Sequence, residues 1–416
     1  LLSDSPKSLE DLKKIRQTRK EDSEAGKELL KKEIQTSNEL KAWWIDEMKT
    51  TEFPLREKMT LFWENHFVTA YQKVKVNYWI FQKNQLLREN AFGNFKTLTK
   101  KAMQTNAMVR YLDNVDNKKG KLNENLSREL LELFTLGIGN YSEADIKNGA
   151  KGLAGLGVGE TTAMYRRFLE DNNPIKYLRK KGVLKLDEMV DAIFDHPKIP
   201  YLLTQKILQW FLYDEPKENL VKHYGDYFRK VNFEIKPLLI KIFTEEFAKN
   251  DTAGSKIKNP LEYILLLTSE LKTQRPESTT IAFFLKQQGM DLFNPPNVKG
   301  WDGGKSWLTS QIYLQRNNVA DLLSSGKSIP RSKLERENTL NKKQAFSISL
   351  DWNTKGTNKE IIKELTDRLL FSTDTSLQQD LEKILKYDFD PQSLGANDAV
   401  LRLFNAIIKS PEFQLI

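Results

Sequence analysis

A histidine and a carboxylate stand close together in the segment FWENHFVTA, residues 62–70. Histidine and glutamate are residue types that act as general acids or bases and that bind metal ions. On a helix, however, Glu64 and His66 point about 200° apart, so they cannot share one ligand unless the helix breaks. His66 also falls on the apolar stripe of the segment, which is typical of a hydrogen-bonded core histidine. We therefore expect a structural role, with catalysis by His66 or metal binding by Glu64 and His66 as the alternative.

A second set of candidates lies in NENLSRELLELFTLGIGNYSEAD, residues 123–145. Glu129 and Glu132 are three residues apart, a helical spacing at which two carboxylates can form an acid–base pair or hold a metal. Glu124, Arg128 and Glu132 follow at four-residue spacing, which predicts a ladder of salt bridges. Di-iron bundles place a histidine three residues after such a glutamate, and this segment has none. The sequence favours capping and ion pairing, with Glu129 and Glu132 as catalytic candidates and Glu124 as a metal-ligand candidate in the alternative.

The loop NPPNVKGWDGGKSWL, residues 294–308, ends in a Gly-Lys-Ser sequence that is similar to a phosphate-binding Walker loop. That motif needs glycine at position 299, where this chain has lysine. The paired prolines also exclude the buried strand that normally precedes the motif. We therefore interpret the loop as a rigid connector anchored by its tryptophans. If the tryptophans are exposed, the loop has the residue types to bind an anion or a sugar.

The candidate binding residues of this loop are Asn297, Lys299, Trp301, Lys305 and Trp307. Arg128, in the segment 123–145, is a further candidate.

Composition excludes several classes of site. The 416 residues contain no cysteine, which rules out disulfides, cysteine nucleophiles, thiolate zinc sites and iron–sulfur clusters. The chain has three histidines, so we do not expect a metal site built from several of them, and we predict no cofactor. The net charge of +9 raises nucleic acid as a partner, but the charges are interspersed and no basic tract stands out, so we do not expect one. No apolar run approaches the ~20 residues that span a bilayer, so we expect no transmembrane segment.

Helical periodicity dominates the chain and predicts an all-α fold, with a large multi-helix domain, long loops and at most a short β-hairpin. Residues 7–50 predict one or two charged helices, and Pro54 opens the next helix. Residues 157–183 form a break rich in glycine and charge, and 343–353 alternate like a short strand pair.

The other predicted helices are 78–91, 94–112, 124–136, 143–156, 186–195, 198–213, 217–230, 236–248, 258–273, 277–289 and 308–324, followed by two or three more.

This pattern predicts three parts. Residues 1–53 form charged N-terminal helices, and 54–309 form the main helical domain, which includes the loop 293–307. Residues 310–416 form a C-terminal helical portion that packs on it.

Six motifs occur in an order that is similar to one known family. They are REKMTLFWENHFVT (56–69), QKNQLLRENAFGNFKTL (82–98), YLDN (111–114), NENLSRELLELFTLGIGNYSEADI (123–146), LFNPPNVKGWDGGKSWL (292–308) and KSPEFQ (409–414). Together they resemble the bacterial family numbered eighteen hundred in the series of domains of unknown function. The resemblance covers the chain from about residue 40 onward.

The resemblance implies an exported protein in an extracytoplasmic setting, either periplasm or cell surface. It also implies a protein partner, because genes of this family often neighbour those of a family similar to sulfatases and alkaline phosphatases. It implies no reaction. Family members typically carry histidine where Glu64 stands, a His-Asp segment where Glu170-Asp171 stands and tryptophan where Leu156 stands. If the family uses those histidines for chemistry, the resemblance implies that this chain has altered or lost it.

Two interpretations of function follow. The first is a non-catalytic extracytoplasmic binding or scaffold component that acts with a protein partner, for instance a sulfatase-like protein, or with a surface glycan. It would bind through helical faces and the 293–307 loop. The second is a hydrolase-like or metal-dependent enzyme that uses His66 with Glu124, Glu129 or Glu132. The two differ in whether residues 64–66, 124–132 and 297–305 converge on one open cleft.

Overall fold

The computed structural model describes residues 2, 6–249, 252–273, 277–325 and 347–416. The described residues form two compact units. The first comprises Leu1–Ala248 with Leu292–Trp301, and the second comprises Lys249–Asp291 with Asp302–Ile416. The predicted division at residues 53 and 309 stays a prediction.

The first unit consists of helices and two short strand pairs. Its helices are α1 (Leu9–Glu21), α2 (Ser23–Thr50), α3 (Pro54–His66), α4 (Tyr71–Val74), α5 (Asn77–Glu89), α6 (Phe95–Met103), α7 (Asn106–Tyr111), α8 (Asn125–Glu132), α9 (Glu143–Gly152), α10 (Leu186–Phe194), α11 (Ile199–Phe211), α12 (Glu218–Lys230) and α13 (Ile235–Glu246). Strands β1 (Leu156–Gly157) and β2 (Met164–Tyr165) pair antiparallel, as do β3 (Ile175–Tyr177) and β4 (Lys180–Gly182).

The second unit contains α14 (Pro260–Glu270), α15 (Ser278–Gln287), α16 (Ser310–Ser325), α17 (Asn358–Leu369), α18 (Thr375–Ile384) and α19 (Ala396–Lys409), with short 3-10 helices at Gly304–Leu308 and Glu412–Gln414. In this unit α19 packs against α16, α17 and α18. The predicted all-α fold with little β structure is therefore confirmed for the described residues.

Local sequence signals account for several helix boundaries. Pro54 is the first residue of α3, as predicted, and Ser142 with Asp145 forms the capping box of α9. Residues 7–50 divide into two helices at Asp22, whose side chain accepts hydrogen bonds from the first backbone amides of α2. The segment predicted as one helix at 94–112 is two helices, because Thr105 caps the start of α7.

Two predictions on β structure and helix length differ from the structure. The break at 157–183 contains β2, β3, β4 and the last residue of β1. Residues 343–346 of the predicted strand pair lie outside the described residues, and 347–353 form no strand. Helix α8 ends at Glu132, and turns carry the chain to Gly137, which has the positive φ of 81° expected for its predicted role as a stop.

A buried ion pair joins α3 to α5 in the first unit. Lys83 Nζ donates to Glu64 Oε2 at 2.6 Å, to the Phe67 carbonyl at 2.7 Å and to Thr69 Oγ1 at 2.9 Å. Asn84 Nδ2 lies 3.3 Å from the other carboxylate oxygen of Glu64. Burial lowers the pKa of the Lys83 amine, and the adjacent Glu64 carboxylate opposes that shift. The ammonium group is thus held by three oxygen acceptors.

A second ion pair extends this network to α2. Arg88 binds the Glu57 carboxylate with two nitrogens at 2.7 and 2.9 Å, and it also donates to Asn84 Oδ1 at 2.8 Å. Trp44 Nε1 donates to Glu57 Oε2 at 2.9 Å. Because Asn84 contacts both Arg88 and Glu64, the polar groups of α2, α3 and α5 form one connected network.

In the second unit, two buried cations hold the C-terminal segment. Lys258 Nζ donates to the carbonyl oxygens of Phe413 (2.7 Å) and Leu415. Arg316 donates to Gln414 Oε1 at 3.0 Å and to the Lys258 carbonyl at 2.6 Å. Burial lowers the pKa of Lys258 to about 8. These contacts satisfy backbone groups that the short terminal 3-10 helix leaves without partners.

We expect Lys83→Met to lower the free energy of unfolding by about 3–5 kcal/mol, because it leaves the Glu64 carboxylate buried without its counter-charge. The double variant Lys83→Met with Glu64→Leu should recover most of that loss, since no uncompensated charge then remains. Urea unfolding followed by circular dichroism measures both. Lys222→Met, which removes an exposed ion pair with Asp226, is the matched control and should have a far smaller effect. A double variant no more stable than Lys83→Met would contradict the argument.

Candidate functional site

The His66 side chain is enclosed by aromatic rings and both of its ring nitrogens have partners. It is 2% exposed. Nε2 lies 3.1 Å from the Phe134 carbonyl, and Nδ1 lies 3.4 Å from Lys206 Nζ. Since the ammonium of Lys206 can only donate, Nδ1 accepts and Nε2 carries the proton that is donated to Phe134. The surrounding rings, with centroids 4.5–6.1 Å from the imidazole, are Phe62, Trp63, Phe67, Phe95 and Phe134.

This environment keeps His66 neutral. Burial lowers its pKa well below the usual 6.5, the charge of Lys206 lowers it further, and the hydrogen bond to Phe134 opposes the shift. Lys206 itself donates to the Leu133 carbonyl at 2.9 Å, and burial lowers the pKa of its amine to about 8. The predicted core histidine is what the structure contains, and His66 has no free nitrogen with which to take up a proton or a metal.

Asn65 anchors the returning loop to the end of α3. Its Oδ1 accepts a hydrogen bond of 2.7 Å from the Trp301 backbone amide, and its Nδ2 lies 3.4 Å from the Trp301 carbonyl. Gly300 has a positive φ of 90°, and a Cβ there would lie 2.1 Å from Asn65 Oδ1. The adjacent segment is fixed by the Phe293 carbonyl, which accepts from the Tyr71 amide at 2.9 Å. Lys299, one residue before Gly300, is therefore held at a defined position on the first unit.

The two tryptophans of the loop do not offer a stacking face. Trp301 and Trp307 are each only 6% exposed. The condition stated for sugar stacking, exposed tryptophans, is therefore not met, because a buried ring cannot present its face to a ligand. Asn297 and Lys299 are exposed in the first unit, where Asn297 Oδ1 accepts from the Lys299 amide at 2.8 Å. Lys305 is exposed in the second unit.

Helix α8 turns its carboxylates outward and its apolar side chains inward. Leu126, Leu130 and Leu131 are buried, whereas Glu129 and Glu132 are only half-buried. Burial raises the pKa of Glu129, and the charge of Glu132 raises it further, while Arg128 and Lys299 oppose the shift. The Glu129 carboxylate has no hydrogen-bond partner among the described residues.

Two tyrosines border these carboxylates. Tyr141 donates from its hydroxyl to Glu132 Oε2 at 2.7 Å, and burial together with this bond raises the pKa of Tyr141. Burial and the nearby charge of Glu129 raise the pKa of Tyr111. We call the group formed by Tyr111, Glu129, Glu132, Tyr141 and Lys299 the α8 patch. It combines two half-buried carboxylates, the buried Tyr111, the half-buried Tyr141 and the exposed Lys299 of the first unit.

Ion pairs on both sides hold the α8 patch in place. Arg128 binds Glu143 with two nitrogens at 3.1 Å each and lies 3.4 Å from Glu124. It does not extend the predicted ladder to Glu132, which pairs with Tyr141 instead. At the other end Asp113 pairs with Lys73 at 2.7 Å and lies 3.4 Å from Asn125 Nδ2.

The structure thus separates most of the predicted site residues. Glu64 is buried against Lys83, His66 is buried against Phe134, and Glu124 contributes to the ion pairs of Arg128. Among the described residues, no three histidine, aspartate or glutamate side chains lie close enough to hold a metal ion. Of the predicted residues, Glu129 lies within electrostatic range of Glu132, Arg128 and Lys299, whose charges shift its pKa.

Sequence reasoning did not select Tyr111, Tyr141, Lys73 or Asp113. The motif YLDN contains two of them, and the segment GIGNYSEAD contains Tyr141, but neither has a spacing that indicates chemistry. Their roles depend on α4, α7 and α8 being neighbours, which periodicity along one helix does not reveal.

Comparison with known protein families identifies the family of this chain. The family model described as "Protein of unknown function (DUF1800)" matches residues 2–415. No curated protein and no solved structure matches the chain significantly. None of the described helices is both long and apolar enough to cross a bilayer.

The lowered pKa of His66 predicts a loss of stability in acid. Below pH 6.5 the unfolded chain takes up a proton at His66 that the folded protein does not, so the free energy of unfolding falls as the pH falls, by up to about 1.4 kcal/mol per pH unit. Chemical unfolding between pH 7 and 5 should show this slope in the wild type and a smaller slope in His66→Gln. His196→Gln is the comparison: burial also lowers the pKa of the half-buried His196, but less than that of His66, so this variant should reduce the slope less. Equal slopes for the wild type and His66→Gln would refute the buried neutral histidine.

The anchoring of the loop predicts that Gly300→Ala is strongly destabilising. The new Cβ would lie 2.1 Å from the side-chain oxygen Oδ1 of Asn65 and 2.8 Å from its backbone carbonyl oxygen, in addition to the strain of a positive φ. Gly120→Ala is the matched control, with a φ of 81° and open space around its Cβ. We expect the free energy of unfolding to fall by about 1 kcal/mol in the control. In Gly300→Ala it should fall by about 2 kcal/mol or more beyond that, as measured by thermal and urea unfolding. Equal losses would mean that the contact with Asn65 does not constrain the loop.

Proposed function

This chain belongs to the DUF1800 family of proteins of unknown function, and we propose that it is a non-catalytic binding component that recognises a basic group of a protein partner through its α8 patch. The observation that carries the proposal is the Glu129 carboxylate, half-buried, without a hydrogen-bond partner among the described residues, and with a raised pKa. A carboxylate in that state gains free energy when a cation approaches it.

The second carboxylate supports a cationic ligand. Glu132 is held by the hydroxyl of Tyr141, which orients it without neutralising it. Two carboxylates repel each other, as the effect of Glu132 on the pKa of Glu129 indicates, and a guanidinium or ammonium placed between them would relieve that repulsion. Lysine and arginine side chains of a partner protein supply such groups.

An exposed apolar side chain close in sequence to the α8 patch supports a protein as the partner. Ile138 is 77% exposed, although isoleucine is usually buried. It stands between Gly137 and Gly139, which both have positive φ, and Asn140 Nδ2 donates to the Leu136 carbonyl at 2.9 Å across the turn. A rigid turn that presents isoleucine beside charged groups fits the usual composition of a protein interface, with an apolar contact and a polar rim.

The setting of this binding is part of the proposal. The family resemblance implies an extracytoplasmic location and a sulfatase-like partner encoded nearby, and such a protein is the first partner to test. A surface glycan is less well supported, since Trp301 and Trp307 are buried.

The alternative, an enzyme that uses His66 with a glutamate, has less support. His66 is enclosed and both of its nitrogens are engaged, so it cannot exchange a proton with a substrate at the α8 patch. The raised pKa of Glu129 beside Glu132 is the one observation that favours acid–base chemistry, and it is equally expected of a site that binds a cation.

Affinity capture from the envelope fraction of the source bacterium, followed by calorimetry with the purified partner, tests the proposal. We expect Glu129→Gln and Glu132→Gln each to weaken binding about 10-fold or more, because each removes a charge that pairs with the partner. Binding should also weaken as the pH falls toward the raised pKa of Glu129, since protonation removes the same charge.

Glu218→Gln, an exposed carboxylate on α12, is the matched control and should leave the affinity unchanged. Thermal unfolding of each variant establishes that the fold is intact. A partner that binds Glu129→Gln and Glu132→Gln as tightly as the wild type, or a stoichiometric glycan ligand in place of a protein, contradicts the proposal.

A further inference from the structure

A cavity of about 180 Å³ opens in the first unit beside the β1–β2 pair. Its wall combines residues from α1, α5, α7, the 3-10 turn at 114–116 and the strand segment 155–158. Three cationic side chains line it, namely Lys13, Arg110 and Arg166. Among the described residues no aspartate or glutamate lines it. The cavity therefore concentrates positive charge without a counter-charge.

The cations are available to a ligand. Arg110 has no hydrogen-bond or ion-pair partner for its guanidinium among the described residues. Arg166 uses one nitrogen to bind the Val158 carbonyl at 3.1 Å, which orients its guanidinium. Its other N–H groups stay available to a ligand. Lys13 is exposed, and the described part of the chain offers its amine no carboxylate. Charges of one sign inside a concave wall attract a ligand of the opposite sign more strongly than the same charges on a flat surface.

Side-chain hydrogen bonds hold the backbone around the cavity. Asn114 Nδ2 donates to the carbonyls of Leu153 (3.1 Å) and Leu156 (2.7 Å). Asn117 Nδ2 donates to the Ala150 carbonyl at 2.9 Å and to Asn114 Oδ1 at 3.1 Å, and Asn117 Oδ1 accepts from the Asn123 amide. These side chains use their hydrogen bonds to fix the backbone around the cavity. A site whose wall is fixed in advance loses little entropy when a ligand binds.

From these observations we propose that the cavity binds a multiply charged tetrahedral oxyanion, a phosphate or sulfate group, either free or as the terminal group of a small ester. Guanidinium groups match the oxygens of such anions with paired N–H donors. Three positive charges favour an anion with more than one negative charge over a single carboxylate. The volume equals that of about six water molecules, enough for one such group with a few further atoms. This site is independent of the proposed function of the α8 patch.

Calorimetric titration of the full chain with inorganic phosphate, sulfate, phenyl phosphate and acetate, at ionic strength held constant with sodium chloride, tests the proposal. Saturable 1:1 binding of phosphate or sulfate with at least about 10-fold preference over acetate is expected. Tighter binding of phenyl phosphate than of phosphate would identify an ester as the ligand, and the reverse would identify the free ion. Arg110→Gln should weaken binding at least about 10-fold, since it removes charge-assisted hydrogen bonds.

Arg167→Gln is the matched control, because Arg167 is exposed, is next to Arg166 in sequence and does not line the cavity. It should bind the anion like the wild type. The guanidinium of Arg110 has no partner among the described residues that the substitution would leave unpaired, so we expect the variant to fold. Circular dichroism tests this expectation. Equal binding by Arg110→Gln and Arg167→Gln, no binding by the wild type, or equal affinity for acetate and phosphate overturns the proposal.

Discussion

The buried ion pair between Lys83 and Glu64 is the constraint on which the rest of the first unit depends. Neither charge can stay buried alone, so α3 and α5 can pack only in the register that brings the two together. Lys83 also binds the Phe67 carbonyl and the Thr69 hydroxyl, which fixes the direction in which the chain leaves α3. Glu64 is a buried carboxylate, and the charge of Lys83 offsets the free-energy cost of burying it.

Three consecutive residues at the end of α3 then make three different connections. Glu64 binds α5, Asn65 binds the backbone of Trp301, and His66 binds the Phe134 carbonyl while accepting from Lys206. The last two connections determine the α8 patch. Phe134 and Leu133, whose carbonyls bind His66 and Lys206, directly follow α8, and Trp301 lies two residues after Lys299. The carboxylates of α8 and the ammonium of the loop are therefore both positioned from residues 65 and 66, although neither residue is exposed to a ligand there.

This arrangement explains what could be predicted from sequence. The start of α3 at Pro54, the capping box at Ser142 and the core position of His66 follow from signals within a few residues. The partner of Glu64 is 19 residues away on another helix, and the partner of Asn65 is 236 residues away, so no local pattern reveals either. Of the ladder predicted for Glu124, Arg128 and Glu132, only the pair of Glu124 with Arg128 forms. Glu132 accepts a hydrogen bond from Tyr141, on the turn after α8, and Arg128 pairs with Glu143 instead. Spacing along a helix indicates which charges can meet, but tertiary neighbours decide which do.

The segment 110–114 serves both of the sites of the first unit. Arg110 and Asn114 line the cationic cavity, whereas Tyr111 belongs to the α8 patch and Asp113 pairs with Lys73 beside it. To place these side chains in different surroundings, the chain must depart from the helical conformation after α7. It does so at Asp113, which has a positive φ of 58°. The hydrogen bonds of Asn114 to the carbonyls of Leu153 and Leu156 hold the segment in that conformation. Arg110 of the cationic cavity and Tyr111 of the α8 patch can thus be neighbours in sequence, because the backbone turns them toward different surroundings.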